Sequence, residues 1–248
     1  MSSNWQEKYS DFESIKQGSP SSYWSYGLDR RLKMARKLVD FENKRILDAG
    51  CGIGMFMEKF SEFSKDVYGF EPDPRKVEIA KKKFKNVAVS GAEKLPYKDN
   101  FFDIIWFHEV LEHVDDDRKS VRELVRVLKP GGKMIIFTPN RMWPFETHGV
   151  YVNGKYKFGN IPLVTWLPNF IYYKMIPHVR NYSDQSIKKL FEGLPVRFAY
   201  HKHVFPGFDG LQHRSRLLGG MMKGITKIAE VTPLHFFGIS HFLIVEKK

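Results

Sequence analysis

A glycine-rich turn between an apolar run and a helical pattern constrains this chain more than any other feature. Residues 44–49 predict a short buried strand, Gly50, Gly52 and Gly54 follow it, and residues 55–63 predict a helix. Glycines allow a sharp turn and a close approach of backbone to ligand. The spacing G-x-G-x-G differs from the dinucleotide fingerprint, and no Lys-Ser or Lys-Thr follows as in a P-loop. The turn therefore predicts a ligand at the carboxyl end of the strand.

An acidic residue at the end of the next predicted strand strengthens this interpretation. Glu71 closes the strand at 66–70, about twenty residues after the turn, where such a carboxylate can accept hydrogen bonds from both ribose hydroxyls of an adenosyl group. Asp48 precedes the first glycine. A turn that binds no ligand would require neither acid. The combination of the glycine turn with Asp48 and Glu71 therefore favours a nucleoside-binding site.

Predicted strands alternate with helices through the first 140 residues, which is typical of a parallel, doubly wound α/β sheet. The strands are 44–49, 66–70, 87–90, 102–107 and 133–138. After Pro139 the regularity lapses into a segment rich in proline and aromatic residues, and 183–191 (helix), 196–204 and 238–246 (strands) follow. We therefore divide the chain into an N-terminal helical lid (1–43), a cofactor-binding core (44–140), an acceptor-cap insert (141–182) and a C-terminal completion of the sheet (183–248).

Five segments occur in order over residues 44–140: DAGCGIG, GFEPDP, GAEKLP, FDIIWFHEVLEHV and LVRVLKPGGKMIIFTPN. They resemble the class I S-adenosylmethionine (SAM)-dependent methyltransferases of type 11/12, and are similar to ubiquinone-pathway O-methyltransferases. The resemblance implies a Rossmann-like, doubly wound, seven-stranded and mostly parallel sheet whose last strand is antiparallel, with an aromatic-rich cap insert after strand 5. It also implies SAM as cofactor and methyl transfer as the reaction.

The resemblance assigns the cofactor site by position. Asp48 and the glycines would surround the methionine part of SAM, Glu71 would bind the ribose, Ala92 and Glu93 would flank the adenine, and Phe107 and His108 would lie beneath the sulfonium. The complete implied set is Asp48, Gly50, Cys51, Gly52, Gly54, Glu71, Pro72, Ala92, Glu93, Phe107 and His108.

The run from His108 to His113 contains candidates for activating the acceptor. Its spacing matches neither H-E-x-x-H nor H-x-x-E-H of the zinc proteases. The E-x-x-E-H cluster resembles the Mg²⁺ motif of ubiquinone-pathway and small-RNA 2′-O-methyltransferases, which implies a metal held by Glu109, Glu112, His113 and His178, with His148 as the competing fourth ligand. A general base without metal and a purely structural role are the two alternatives. The catalytic candidates are His113, His108 and His148.

The formal charge of +12 is concentrated in the second half, where residues 139–248 hold 15 basic and 6 acidic side chains. Such an excess favours an anionic partner, although charge alone identifies none. Residues 217–228 form a basic amphipathic pattern that predicts either a helix on an anionic membrane surface or a helix packed on the sheet, and we favour the sheet. The aromatic insert suits nucleobases, a membrane interface or an apolar pocket.

We therefore expect a methyltransferase acting on a hydroxyl of a hydrophobic or lipid-linked small molecule. The alternatives are an RNA methyltransferase, disfavoured because no RNA-binding motif is visible, and a catalytically silent methyltransferase fold that serves as a binding protein. A single cysteine, no signal peptide and no apolar run long enough to span a bilayer predict a cytoplasmic protein, with membrane association as a variant.

Overall fold

The computed structural model describes residues 26–248. Residues 1–25 of the predicted lid lie outside the described part. The first described helix, α1, runs over Tyr26–Arg36 and lies within the predicted lid. Its Leu28, Leu32 and Ala35 are buried in the core, as expected for a helix that covers the sheet.

The remaining elements follow the predicted alternation, with boundaries that differ by a few residues. They are β1 Ile46–Ala49, α2 Met55–Phe60, β2 Val67–Glu71, α3 Pro74–Lys81, β3 Val87–Val89, β4 Phe102–His108, α4 Asp117–Val127, β5 Leu128–Pro139, β6 Phe145–Glu146, β7 Val150–Val152, β8 Lys155–Lys157, β9 Ile161–Pro162, α5 Asn169–Met175, α6 Asp184–Lys189, β10 Val196–Val204, α7 Asp209–Arg214, α8 Arg216–Glu230 and β11 Ser240–Lys247, with short 3₁₀ helices at Val164–Trp166 and Pro233–Phe237.

Seven strands form one sheet in the order β10-β11-β5-β4-β1-β2-β3. The pairs of β1 with β2 and β4, of β2 with β3 and of β4 with β5 are parallel. The last strand, β11, runs antiparallel to both β5 and β10. The predicted seven-stranded, mostly parallel, Rossmann-like sheet is therefore confirmed.

Both faces of the sheet are buried, which explains why its strands are apolar without strict alternation. Successive side chains of a strand point to opposite faces. Trp106 accordingly packs in a core with α1, α2 and α3, whereas the neighbouring Phe107 packs in a second core with α4 and α6. Neither side chain has any exposed surface. The two cores fix β4 between helical layers and so position the residues that follow it.

The insert has a small core of its own, between β5 and α6. Val150, Val164, Tyr172, Ile176 and Val179 pack together there. Aliphatic side chains and Tyr172 thus form this core, while most of the other insert aromatics retain exposed surface. Asn140 and Tyr182 pair where the chain leaves and rejoins the main sheet.

The basic amphipathic stretch at residues 217–228 lies within α8, whose first turn is capped by the Ser215 hydroxyl accepting from the Leu218 amide. It differs from our expectation because it does not bury its apolar side on the sheet: α8 packs on α7 and the second 3₁₀ helix, and Leu217 and Ile228 are 82% and 67% exposed. Periodicity identifies an apolar face but not what covers it. Among residues 26–248, no helix combines the length and apolarity needed to cross a bilayer.

We expect Ile228→Gln to change the free energy of unfolding by less than about 0.5 kcal/mol, because the side chain is exposed. Phe242→Ala should lower it by about 3–5 kcal/mol, since Phe242 is completely buried and its loss leaves a cavity. Urea denaturation followed by circular dichroism measures both. A loss above about 1.5 kcal/mol for Ile228→Gln would show that the apolar face of α8 is covered.

Candidate active site

The glycine turn adopts backbone conformations that require glycine. Gly50, Gly52 and Gly54 have φ angles of +77°, +55° and +91°. A side chain at Gly50 would place its Cβ 2.5 Å from Cγ2 of Val110, whereas a Cβ at Gly52 would meet nothing within 4 Å. The turn is therefore packed against the loop after β4 on one side and open on the other, as a ligand would need.

Glu71 is tied to this turn through its carboxylate. Oε2 accepts a hydrogen bond from the Gly52 amide at 3.1 Å, and Oε1 accepts one from the Asp73 amide at 3.2 Å. An ionised carboxylate can accept about four hydrogen bonds, so two acceptor positions remain for ligand hydroxyls. Burial raises the pKa of Glu71, while Lys76 and the two amides lower it. The predicted ribose-binding position is thus compatible with this geometry.

Asp48 is the clearest sign of a missing cationic partner. Its side chain is buried, and its Oδ2 has no hydrogen-bond partner. Burial, with a smaller contribution from the charge of Glu71, raises the pKa of Asp48 to about 8. A buried carboxylate that nothing neutralises is costly. The α-ammonium group in the methionine part of SAM would supply a positive charge and hydrogen-bond donors for Asp48, so the residues around the turn fit this cofactor.

The other predicted cofactor residues lie near this edge but in different environments. Ala92 is buried, and Oε1 of Glu93 accepts hydrogen bonds from the amides of Asp115 and Asp116. Pro72 follows β2 and is partly buried. Cys51 is buried, and burial raises its pKa well above the usual range, which leaves no thiolate near neutral pH. Phe107 is completely enclosed in the core with α4, so its side chain supports the site from behind.

His108 is bound by an arginine that the sequence analysis did not identify. Nη1 of Arg31 in α1 donates to Nε2 of His108 at 2.8 Å and to Oε1 of Glu109 at 2.6 Å. Nη2 of Arg31 donates to Oγ of Ser240 at 2.8 Å. Burial and the guanidinium lower the pKa of His108 to about 3. The lone pair of Nε2 is therefore already engaged, which disfavours His108 as a proton acceptor.

The predicted metal ligands do not all come together. Glu112, His113 and His148 each place one ligand atom within 4.8 Å of the others. Glu109 instead accepts hydrogen bonds from Arg31 and Ser240, and its backbone is left-handed with φ +52°. His178, whose Nε2 lies 3.3 Å from the carbonyl oxygen of His148, is outside the group as well. His148, the competing candidate in the sequence, occupies the position expected for His178.

The charges in this group depend on burial. Oε2 of Glu112 accepts from Thr138 at 3.0 Å, and its Oε1 has no hydrogen-bond partner. Burial and the nearby Glu109 raise the pKa of Glu112 well above its ordinary value. Partial loss of solvation and the neighbouring His148 lower the pKa of His113 to about 4, although 44% of its side chain is exposed. Two imidazoles and one carboxylate suit a transition metal better than Mg²⁺, which prefers oxygen ligands, so the described group does not fit the Mg²⁺ prediction.

A carboxylate in the insert orients His148. Oε1 of Glu146 lies 3.1 Å from Nδ1 of His148 and accepts from its amide at 2.7 Å, and Oε2 accepts from the hydroxyl of Tyr172 at 2.9 Å. Glu146 is buried and these contacts lower its pKa, so it stays ionised. A carboxylate only accepts, so Nδ1 carries the proton and Nε2 is free to accept another. The E-x-H spacing of Glu146 and His148 is the signal that could have revealed this pair.

A small pocket joins these groups to the insert. Its lining comes from α1, the end of β4, the end of β5, the insert and the start of β11, and includes Arg31, Glu109, Asn140, Trp143, His148 and Ser240. Strand ends of an open α/β sheet are where ligands bind. The pocket is thus the candidate acceptor site.

Comparison with known proteins agrees with this arrangement. Residues 47–136 match a family described as a methyltransferase domain. The chain is 33% identical over 131 residues to a sterol 4-C-methyltransferase of Caenorhabditis elegans, covering 48% of this chain and 39% of that protein. It is 33% identical over 159 residues to a ubiquinone biosynthesis O-methyltransferase of Bartonella bacilliformis, covering 62% and 60%. The chain thus spans less than two thirds of the length of either relative.

Solved structures support the fold over nearly the whole chain. A SAM-dependent methyltransferase of Mesorhizobium loti has a TM-score of 0.62 at 14% identity and covers 90% of this chain and 98% of its own. Protein PH0226 of Pyrococcus horikoshii has a TM-score of 0.61 at 15% identity, covering 96% and 100%. The glycine turn, the two acids and the seven-stranded sheet agree with these matches: residues 47–136 match a methyltransferase domain, and the whole chain has the fold of SAM-dependent methyltransferases.

Proposed function

We propose that the protein transfers a methyl group from SAM to a hydroxyl of a hydrophobic or lipid-linked small molecule. The observation that carries the proposal is the Glu146–His148 pair, which faces the pocket beside the strand ends. When bound, SAM supplies an activated methyl group. What the chain must add is alignment of the acceptor and a place for its proton.

His148 is the side chain best arranged to take that proton. Glu146 fixes its tautomer and leaves Nε2 free, as an orienting carboxylate does in other histidine-dependent sites. His113 contacts His148 edge to face, with ring centroids 5.7 Å apart, and 44% of the His113 side chain is exposed. We therefore assign proton acceptance to His148 and positioning to His113. A histidine base suits a hydroxyl acceptor, because an O–H proton is usually more acidic than the C–H proton of a carbon acceptor.

The names of the relatives favour a small molecule. They refer to a sterol and to ubiquinone biosynthesis, neither of which is a nucleic acid. The pocket places Trp143 and Phe145 among a larger number of polar residues, which suits the hydroxyl-bearing end of a small molecule.

Binding of S-adenosylhomocysteine tests the cofactor site. We expect Glu71→Ala to abolish micromolar binding in calorimetric titration, because the variant loses the acceptor for the ribose and releases the Gly52 amide. Glu58→Ala, which changes an exposed acid on α2, should bind like wild type. Equal affinity of Glu71→Ala and wild type would contradict the assignment. We expect the same titration with Mg²⁺ present to give no separate heat, because two imidazoles and one carboxylate do not suit this ion.

Transfer of tritium from methyl-labelled SAM tests the acceptor and the base. With lipid extract and total RNA offered separately, we expect label in the organic phase. His148→Ala should lower that rate by about 10²–10⁴-fold, as loss of a general base does, while S-adenosylhomocysteine binding is retained. Glu146→Gln should lower it less, because the histidine remains. Label found only in RNA, with incorporation that falls steeply as the salt concentration rises, would show that the acceptor is RNA and not a small molecule. An unchanged rate in His148→Ala would remove the assigned base.

We further propose that the acceptor is reached at an anionic membrane surface through α8. Leu217, Met221, Ile225 and Ile228 recur at helical spacing and are more than half exposed. Arg216 and Lys227 lie on the same helix. An exposed apolar face with basic flanks is the composition of helices that lie in the headgroup region.

Vesicle sedimentation tests this proposal. Wild type should bind phosphatidylglycerol vesicles more than phosphatidylcholine vesicles, and more weakly as salt rises. Leu217→Gln with Ile228→Gln should weaken binding at least about tenfold, because two large apolar side chains no longer enter the lipid. Ile79→Gln, which alters an exposed apolar residue on α3, is the matched control and should bind normally. Equal binding of the double variant and wild type would contradict the role of α8.

A further inference from the structure

A second cluster of metal-ligating side chains lies outside the candidate active site. Asp184, His201, His203 and His241 each place one ligand atom within 4.8 Å of the others. Asp184 is the first residue of α6, His201 and His203 lie on β10, and His241 lies on β11. Nothing in the proposed methyl transfer uses these four residues.

The pairing of β10 with β11 brings the histidines to one face of the sheet. His203 is directly opposite His241 in the antiparallel register. His201 is two residues from His203, so both side chains project from the same face. His241 is completely buried and His203 almost so, while α6 places Asp184 over them from above the sheet.

The distances between ligand atoms suit a tetrahedral ion. Oδ1 of Asp184 lies 2.9 Å from Nε2 of His203, 3.7 Å from Nε2 of His201 and 3.7 Å from Nδ1 of His241. Nε2 of His201 lies 3.0 Å from Nδ1 of His241. Tetrahedral Zn²⁺ with bonds of about 2.0–2.2 Å separates its ligands by about 3.4 Å, which these four distances bracket.

The hydrogen bonds of the rings also direct one nitrogen of each ring into the cluster. Nε2 of His241 lies 2.8 Å from the carbonyl oxygen of Tyr182, which can only accept, so Nε2 carries the proton and Nδ1 presents its lone pair to the cluster. Such a second hydrogen bond to a backbone carbonyl is typical of metal-bound histidine. On His203, Nδ1 faces Nδ1 of His235 at 3.4 Å, and Nε2 points into the cluster at 2.9 Å from Oδ1 of Asp184. In the metal-free chain this Nε2 donates to the carboxylate, and Zn²⁺ would displace its proton, as metal binding to histidine requires.

We propose that Asp184, His201, His203 and His241 bind one Zn²⁺ ion that joins β10, β11 and α6. Three neutral imidazoles and one carboxylate form a complete tetrahedral set, which is the pattern of structural rather than catalytic zinc. The ion sits behind the point where the insert rejoins the sheet, because the Tyr182 carbonyl that accepts from His241 also accepts from the Arg141 amide at 2.9 Å. Zinc would therefore hold the base of the insert in place.

Cobalt substitution tests the site in the full chain. After metal removal, Co²⁺ should bind in a ratio of one per chain and give the visible absorption bands of tetrahedral Co²⁺. Zn²⁺ should displace it, and excess Zn²⁺ should raise Tm by about 5–10 °C, since only the folded chain presents all four ligands. His201→Ala should weaken Zn²⁺ binding about 100-fold or more and remove the bands. His201 is chosen because it is the most exposed of the three histidines in the cluster.

Two controls separate this site from its neighbours. His113→Ala, which disrupts the group at the candidate active site, should keep the bands. His235→Ala, which removes a neighbour of His203 that is not a ligand, should keep them with reduced affinity. Asp184→Asn examines the carboxylate without changing its size and should weaken binding. Bands lost in His113→Ala and kept in His201→Ala, or no bound metal in wild type, would overturn the proposal.

Discussion

Parallel pairing of β1 with both β2 and β4 is the constraint on which the rest of the structure depends. Parallel strands carry their carboxyl ends to one edge of the sheet, and the connections that leave this edge cannot be buried in the core. The glycine turn, Glu71 and the run from His108 to His113 all follow strands at that edge. The polar residues of the candidate site therefore lie together at the carboxyl ends of the strands, where the two helical layers no longer cover the sheet.

The carboxylates at this edge of the sheet have very different pKa values, because their surroundings differ. Asp48 is buried without a cation, and its pKa is raised, whereas Glu109 beside Arg31 has a pKa well below its usual range. Glu112, a few residues away, has its pKa raised by burial and by Glu109. Removing a carboxylate from water is costly unless a positive charge or hydrogen bonds compensate it. The uncompensated acids are thus where a ligand has most to contribute.

The sequence predicted the core of the fold because local and global signals agree there. Apolar runs bounded by turns located all five strands of residues 44–140, and the antiparallel last strand followed from the resemblance.

The insert was harder to predict, because its prolines and aromatic residues do not recur at a helical or strand spacing. The sequence predicted His178 as the fourth ligand with His148 as the competing candidate, but the β6–β9 pair and the core around Tyr172 place His148 beside His113. The cluster of Asp184 with three histidines depends on a strand register that no spacing reveals, and the amphipathic pattern of α8 could not say whether its apolar side is covered.

The insert leaves and rejoins the sheet at almost the same point. Asn140 and Tyr182 pair there, the Tyr182 amide donates to the Pro139 carbonyl, and Nδ2 of Asn140 donates to the carbonyls of Phe236 and Gly238. A segment whose two ends are fixed side by side can change in length at little entropic cost, about 0.6 kcal/mol for each doubling. Insertions and deletions within this segment therefore leave the strand order intact, so the acceptor pocket can change in shape independently of the sheet as long as Glu146 and His148 are kept.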